Sequence, residues 1–270
     1  MQTQEKPPLA VGKDIGLLFK PDMIRALLRD ESPKTQTRRI ISPQPVLENG
    51  FWIWRREGKA SSPLITSPLM LSKAPYQGGD RIYAKESLYL GDNNCWHYAT
   101  DNALVEVERQ YESAMLYWAH HKESDKSSAL FMKKWAARIW REITEVRVQR
   151  LNDISEEDAI AEGIDFVSMG AIANQGKKYR NYLSPDSQPK YQFFDPLDSF
   201  RSLWNSINGK WTPVRKGKTL VAYTSYPWSE EDILQKPLNA IRQDIPCIAH
   251  TNPWLWCISL TTELRGGQKS

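Results

Sequence analysis

The stretch IGLLFKPDMIRALLRDESPKTQTRRII, residues 15–41, changes its character three times within a short span. Its apolar beginning, Ile15–Phe19, predicts a buried strand, and Pro21 followed by apolar residues at helical spacing predicts a helix directly after it. A polar run, Lys34–Arg39, comes next. Because the proline before this run disfavours helix, we expect the run to leave a loop and enter a strand that contains Ile40–Ile41. The order strand, helix, polar run, strand is the starting point for the fold.

Further strands are predicted where apolar residues alternate with polar ones. The clearest case is residues 81–85, in which Ile82 and Ala84 alternate with polar or aromatic residues after a Gly-Gly-Asp turn. Near the end of the chain, large apolar residues alternate from Trp254 to Leu260 and predict one buried face. The other predicted strands cover residues 51–54, 138–151 and 219–224.

Two helices carry clear signals at both ends. Ser155 is a typical N-cap before a run of carboxylates, and Gly163 favours a left-handed stop, so a helix is predicted over about residues 156–162. A second helix is predicted to begin at Asp195–Pro196 and to end at Gly209. Its predicted buried stripe consists of Phe200, Leu203, Trp204 and Ile207.

The predicted fold class is α+β with a small, mostly antiparallel, barrel-like sheet, because strands outnumber helices and do not alternate with them regularly. Residues 1–14 and 265–270 are predicted to be tails, and residues 15–264 a single domain. Residues 167–194 are rich in Gly, Asn, Ser, Pro and Lys, which predicts a mobile loop.

Composition narrows the class of protein. The chain has 270 residues, of which 40% are hydrophobic, and this suffices for a core. No window approaches the ~18 apolar residues that span a bilayer, and the N-terminus lacks a secretory pattern, so we expect a cytoplasmic protein with no membrane partner.

Cys95, Cys247 and Cys257 are odd in number and outside C-x-x-C spacing. We therefore expect no disulfide framework, no metal site and no cofactor.

Basic residues lie beside aromatic ones in several runs, although the formal net charge is only +4. Cations contact phosphates and aromatic faces stack on bases, a combination that favours single-stranded nucleic acid. A solvated basic face is the alternative explanation for each run. The runs are Lys133–Trp135, Arg138–Arg141, Lys177–Arg180 and Arg215–Lys218.

Three residues are candidates for chemistry. Glu162 falls in the last turn of its predicted helix, where the helix dipole disfavours a negative charge, and burial there would favour a general base or acid. Lys34 and Thr37 lie three residues apart, so an ammonium and a hydroxyl can face one small substrate. A solvated helix end and an ordinary polar loop are the alternatives.

The motifs KTQTRR (34–39), GDRIYAKES (79–87), LNDISEEDAIAEGI (151–164) and NPWLWCISL (252–260) resemble, in this order, those of the ASCH domain group, whose fold is PUA-like. The larger phage and prophage members are the most similar. The similarity covers about residues 15–262 and implies insertions at 91–134, 165–194 and 215–250. It also implies a PUA-like β-barrel with a cleft for RNA or a single nucleobase.

The resemblance further implies an activity. Small bacterial members remove the acetyl group from N4-acetylcytidine by means of a lysine, a threonine and a glutamate. Their K-T-x-T-x-R stretch places these roles on Lys34 and Thr37, with Arg39 on the matching arginine, and the eleven-residue spacing from Leu151 places the glutamate at Glu162. The glycine usual before the lysine is replaced here by Ser32-Pro33.

The expected function is therefore a protein that binds RNA or a modified nucleoside, with hydrolysis of an exocyclic N-acyl group as its reaction. Two alternatives are a protein that recognises a modified base without catalysis and a phage protein that binds a host protein. The residues predicted to bind substrate or nucleic acid are Arg38, Arg39, Lys133, Lys134, Trp135 and Arg138.

Overall fold

The computed structural model describes residues 12–54, 63–92, 95–106, 109–113, 126–169, 176–185 and 187–262. The chain divides into two compact units, each assembled from separate stretches of sequence. The first unit comprises residues 1–35, 75–146 and 258–270, and the second comprises residues 36–74 and 147–257. The prediction of a single domain over residues 15–264 stays a prediction, because compactness does not show which parts fold together.

Short strands provide most of the regular structure. The helices of the described residues are α1 Pro21–Leu28, α2 Ser67–Ser72, α3 Glu156–Ala161, α4 Pro196–Asn208 and α5 Leu238–Arg242. The strands are β1 Asp14–Leu18, β2 Gln36–Ile40, β3 Val46–Glu48, β4 Phe51–Ile53, β5 Arg81–Lys85, β6 Leu88–Leu90, β7 Trp96–Tyr98, β8 Lys126–Ser127, β9 Trp140–Arg150, β10 Phe166–Ser168, β11 Lys177–Arg180, β12 Tyr191–Phe193, β13 Thr212–Lys216, β14 Thr219–Ser225, β15 Cys247–Ala249 and β16 Trp254–Leu260.

In the first unit, β5 is the central strand. It pairs in parallel with β1 and antiparallel with the beginning of β9. Ile82 and Ala84 are buried, so the predicted alternation along this strand is confirmed. A second small sheet has the order β7-β6-β8, and its apolar side chains form a separate core around Trp96 and Met132. The described residues between 91 and 134 therefore form a packed core together with Leu88 and Ala136.

In the second unit, β16 lies between β9 and β2. The Ile41 N–H donates to the Trp254 carbonyl at 3.1 Å, and the Leu151 N–H donates to the Pro253 carbonyl at 3.0 Å. β16 is buried on both of its faces, since Leu255 and Cys257 are as inaccessible as Trp256. The predicted strand, with large apolar residues alternating along one face, is confirmed, and its opposite face is buried as well.

The polar run also differs from the prediction. The strand β2 begins at Gln36, so most of KTQTRR is strand rather than a loop that leads into one. Backbone pairing with β16 determines this conformation, although no apolar residue precedes Ile40 in the strand. Residues 167–194, for which the composition predicted a mobile loop, contain most of the sheet β10-β11-β12, so the described part of this segment is not an irregular loop.

Both predicted helices of the second unit are confirmed with their end signals. The Ser155 hydroxyl accepts from the Asp158 N–H at 3.2 Å, and Gly163 has a φ of 81° directly after α3. The Asp195 carboxylate accepts from the Leu197 N–H at 2.7 Å at the start of α4. Three members of the predicted stripe of α4 are buried, but Ile207 is 37% exposed, so this part of the stripe was wrong.

Removal of the α3 cap gives a first testable prediction. Ser155→Ala deletes a hydroxyl that satisfies a backbone N–H, so we expect the free energy of unfolding to fall by about 1 kcal/mol. Urea denaturation followed by circular dichroism measures this change. Ser187→Ala, at an exposed site outside helices and strands, is the matched control and should stay close to wild type. Equal values for the two variants would contradict the capping role.

The α+β class is confirmed, with pairings that are mostly antiparallel. The predicted barrel is not found as a closed structure, because none of the sheets formed by the described strands closes on itself. None of the helices in the described ranges combines the length and apolar character that crossing a bilayer requires.

Candidate functional site

The strand β2 directs two polar side chains towards helix α3. The Gln36 amide donates to Asp158 Oδ1 at 3.0 Å, and the two terminal nitrogens of Arg38 donate to Asp158 Oδ2 at 2.7 Å and to Glu162 Oε1 at 3.2 Å. Residues at positions i and i+2 of a strand share a face, and residues at i and i+4 of a helix share a face. Strand and helix periodicity therefore bring these four side chains together, and we call them the Arg38 cluster.

Three of the four side chains of the Arg38 cluster are almost inaccessible to water, and Asp158 is partly exposed. Arg38 is 5% exposed and Glu162 is 4% exposed. The guanidinium also lies 5.7 Å from the ring centroid of Phe200, which is a buried residue of α4. Isolated charges of this kind are costly to bury, so their mutual pairing is what makes the arrangement stable.

A second arginine adds to the charge balance of the cluster. Arg147, on β9, forms an ion pair with the Asp158 carboxylate. Partial burial alone would raise the pKa of Asp158. The hydrogen bonds from Gln36 and Arg147 and the charges of Arg38 and Arg147 outweigh burial and hold this pKa below its ordinary value. Asp158 is therefore an ionised anchor at neutral pH.

This lowered pKa predicts the pH dependence of stability. A carboxylate whose pKa is lower in the folded state contributes stability above its unfolded pKa of about 3.9, and that contribution is lost as the pH falls through the folded pKa. We therefore expect the free energy of unfolding of Asp158→Asn to fall less steeply than that of wild type as the pH is lowered. Urea denaturation at a series of acidic pH values measures this dependence. Asp198→Asn, exposed on α4, is the control and should keep the wild-type slope. An unchanged pH dependence in Asp158→Asn would refute the anchor role.

One donor of Arg38 remains available. Its Nε atom is buried and has no hydrogen-bond partner among the described residues. A buried donor without a partner costs about 1–3 kcal/mol. A ligand oxygen that accepted from this atom would recover that cost, so Nε is the feature of the cluster that points most directly to a bound group.

The predicted catalytic residues are all buried. Thr37 lies in β2 and is 2% exposed, and alternation along the strand places its side chain on the face opposite to Gln36 and Arg38. Lys34 belongs to the first unit, is 1% exposed, and donates its backbone N–H to the Ala26 carbonyl at 2.9 Å. A lysine is rarely buried to this extent without a function or a partner.

Two of the predicted binding residues of the first unit, Arg138 and Lys134, form ion pairs with carboxylates. Arg138 forms two hydrogen bonds to Glu86, which is almost fully buried, at 2.9 and 2.7 Å, and it also pairs with Asp101. Lys134 forms an ion pair with Asp14. The remaining predicted binding residues are Lys133, which is exposed, Trp135, whose ring stacks at 6.4 Å on Tyr111, and Arg39, which is half-buried in β2.

Sequence reasoning missed the residues that surround Arg38. Asp158 was interpreted only as a first-turn carboxylate, and Arg147 and Gln149 only as part of a strand. The Gln149 side chain accepts from Arg38 at 3.2 Å and contacts the Cys257 thiol at 3.5 Å. Two spacings could have indicated these contacts. Arg147 and Gln149 lie two residues apart on a strand, and Asp158 and Glu162 lie four residues apart along a helix, so each pair shares one face.

The three cysteines form no disulfide among the described residues. All three are free thiols, and burial raises the pKa of Cys257 to about 11, which disfavours the thiolate. Within the described ranges, no three His, Cys, Asp or Glu side chains cluster as metal ligands would.

Comparison of the chain with protein-family models, with curated proteins and with solved structures finds no match. The motifs quoted above are therefore the basis for the ASCH resemblance.

Proposed function

We propose that this chain is a PUA-like protein of the ASCH group, of the phage type, that binds a modified nucleobase or nucleoside and hydrolyses its exocyclic N-acyl group. The observation that carries this proposal is the buried Arg38, which is held by two carboxylates of α3 and retains one unpartnered donor. A carbonyl oxygen of a substrate could accept from this donor.

The proposed reaction is amide hydrolysis, in which N4-acetylcytidine and water give cytidine and acetate. Glu162 accepts a proton from water as the water oxygen attacks the acyl carbon. The C–N bond then breaks, and the same proton passes to the exocyclic nitrogen of the leaving base. Water is the proposed nucleophile rather than Thr37, because strand alternation turns that hydroxyl away from the face of Arg38.

Arg38 has two roles in this scheme. One of its terminal nitrogens positions the Glu162 carboxylate, and its Nε donates to the oxygen on which negative charge develops during attack. The role of Lys34 follows from the resemblance, which implies that it supplies a positive charge to the reaction. Thr37 lies on the opposite face of β2 from Arg38 and has no part in this scheme.

Incubation of the purified protein with N4-acetylcytidine tests the proposal. We expect cytidine and acetate to accumulate over many turnovers, and Lys34→Ala to abolish this accumulation while the protein stays folded. Product formation by Lys34→Ala at the wild-type rate would remove that residue from the mechanism. The absence of product from wild type, with N4-acetylcytidine and with N4-acetylcytidine in RNA, would reject the hydrolase assignment.

Recognition of a modified base without catalysis is the second candidate, and contacts between cations and aromatic rings favour it. In the second unit, the Lys177 ammonium lies 4.1 Å from the ring centroid of Phe166, and the Lys178 ammonium lies 5.0 Å from that of Phe194. Such pairs offer a phosphate contact beside a surface for stacking. This candidate requires tight binding of the modified base with no turnover.

A further inference from the structure

The strands β13 and β14 form a hairpin whose far end has only two strands. Their pairing extends from Thr212 opposite Thr224 to Lys216 opposite Thr219. The third strand of this sheet, β15, pairs only with Tyr223–Ser225 at the near end. The turn contains Gly217, whose φ of 64° lies in the left-handed region that glycine tolerates. The hairpin therefore ends in a narrow two-stranded ribbon.

This ribbon is exposed and carries only positive charges. All five residues of β13 are exposed, as is the turn that follows. Residues 210–229 include four cations and no carboxylate, and none of these cations forms an ion pair with a described residue. The four cations are Lys210, Arg215, Lys216 and Lys218.

The backbone of the hairpin keeps the charges at its tip. A shift of register between Val214 and Arg215 marks a β-bulge, a feature that increases local twist and redirects side chains. The Arg215 guanidinium donates to the Lys218 backbone carbonyl at 3.3 Å, which holds this cation beside the turn. Four like charges without counter-charges repel one another, and such a surface is stabilised when a polyanion binds to it.

The base of the hairpin is attached to the helix that packs on the Arg38 cluster. The indole N–H of Trp204, on α4, donates to the Tyr226 carbonyl at 2.7 Å, and the Tyr226 N–H donates to the Asn208 carbonyl at 2.9 Å. The same helix carries Phe200 against Arg38 and packs against α3. The hairpin and the Arg38 cluster are thus positioned by one helix within the second unit.

We propose that the β13–β14 hairpin binds the phosphate backbone of a nucleic-acid strand and delivers a base of that strand to the Arg38 cluster. A two-stranded β-ribbon has dimensions that fit a nucleic-acid groove, and exposed Lys and Arg side chains provide backbone contacts without sequence preference. This inference rests on the proposed function for the identity of the delivered base. It adds that the substrate is a base within a strand rather than only a free nucleoside.

The shape of the ribbon favours nucleic acid over an acidic protein surface. A narrow projection with cations on both sides matches a strand or groove that surrounds it, whereas an acidic protein would contact one broad face. The measured salt dependence distinguishes the two, because counterion release from nucleic acid gives a linear fall of log affinity with log salt of about 0.7 per phosphate on a single strand.

The test compares two triple variants by fluorescence anisotropy with labelled RNA and DNA single strands of roughly 20 nucleotides, longer than the ~4–16 nucleotides that small domains cover. The first variant is Arg215→Gln/Lys216→Gln/Lys218→Gln. The matched control, Lys73→Gln/Lys190→Gln/Arg242→Gln, removes the same number of exposed positive charges elsewhere in the second unit. Hydrolysis of free N4-acetylcytidine is measured for both variants in parallel.

We expect the hairpin variant to bind more weakly than the control, with a salt slope lower by about 2 for three lost phosphate contacts. Between 50 and 200 mM salt, its affinity should then fall about 16-fold less than that of wild type. Equal slopes for the hairpin variant and the control would overturn the inference, as would a hairpin-dependent affinity for heparin equal to that for RNA. Hydrolysis of the free nucleoside should be the same in both variants. Failure of wild type to hydrolyse N4-acetylcytidine both free and within RNA, with binding that depends on the hairpin, would instead reject the proposed function alone.

Discussion

Arg38→Met is expected to lower the free energy of unfolding by about 3–5 kcal/mol, the largest stability effect that we predict for a single substitution. The Met side chain fills a similar volume but removes the Arg38 charge from both carboxylates, and only Asp158 keeps a second arginine, Arg147, as its partner. Both Arg38 and Glu162 are nearly inaccessible, so water cannot replace the lost hydrogen bonds at either site. Chemical denaturation of the purified variant measures the change.

Two further variants separate the loss of charge balance from the loss of an arginine. Arg242→Met, at an exposed position on α5, should lie within about 0.5 kcal/mol of wild type. Adding Glu162→Gln to Arg38→Met removes the buried carboxylate that has lost its counter-charge and should recover part of the lost stability, whereas Asp158 keeps its ion pair with Arg147. If Arg38→Met were no less stable than Arg242→Met, or if the double variant were less stable than Arg38→Met, the charge-balance explanation would be wrong.

Glu162→Gln is expected to reduce hydrolysis of N4-acetylcytidine by about 10²–10⁴-fold, the range that general acid–base catalysis contributes. The amide keeps the size of the carboxylate and an oxygen that accepts from Arg38, but it cannot take a proton from water. Since the substitution removes the base and preserves the shape of the site, binding of N4-acetylcytidine should persist. Steady-state kinetics and equilibrium binding measure these two quantities separately.

Glu157→Gln is the matched control for this variant, because it lies on the same helix with an exposed side chain. It should retain wild-type turnover. Equal turnover in Glu162→Gln and Glu157→Gln would exclude Glu162 as the base. Tight binding of the acetylated nucleoside by both variants and by wild type, with turnover in none of them, would identify the protein as one that recognises the base without catalysis.

The sequence predicted most of the regular elements because their signals are local. The helix α3 has a capping hydroxyl, acidic residues in its first turn and a glycine stop, and each of these acts within a few residues. The alternation of β5 and the proline at the start of α4 are equally local. Strand β2 was placed too late because its pairing partner, β16, is more than 200 residues away in the chain.

The candidate site could be predicted only in part. Glu162 was chosen for its unfavourable place at the end of a helix, and the structure shows it buried with Arg38 as a partner. The sequence placed Arg38 among residues that bind nucleic acid, because a cation in a polar run is usually exposed. Its burial depends on Asp158, on α3, and on Arg147, on β9. A local sequence pattern cannot predict that this helix and this strand lie beside Arg38.

The most direct test of the central claim is mass spectrometry of the products formed from N4-acetylcytidine in water enriched in ¹⁸O. Amide hydrolysis at the acyl carbon predicts one heavy oxygen in the released acetate and none in the cytidine, with Glu162→Gln giving neither product at a comparable rate. Heavy oxygen in uridine would show attack on the ring instead. Unchanged N4-acetylcytidine after incubation with folded wild-type protein would contradict hydrolysis of this nucleoside.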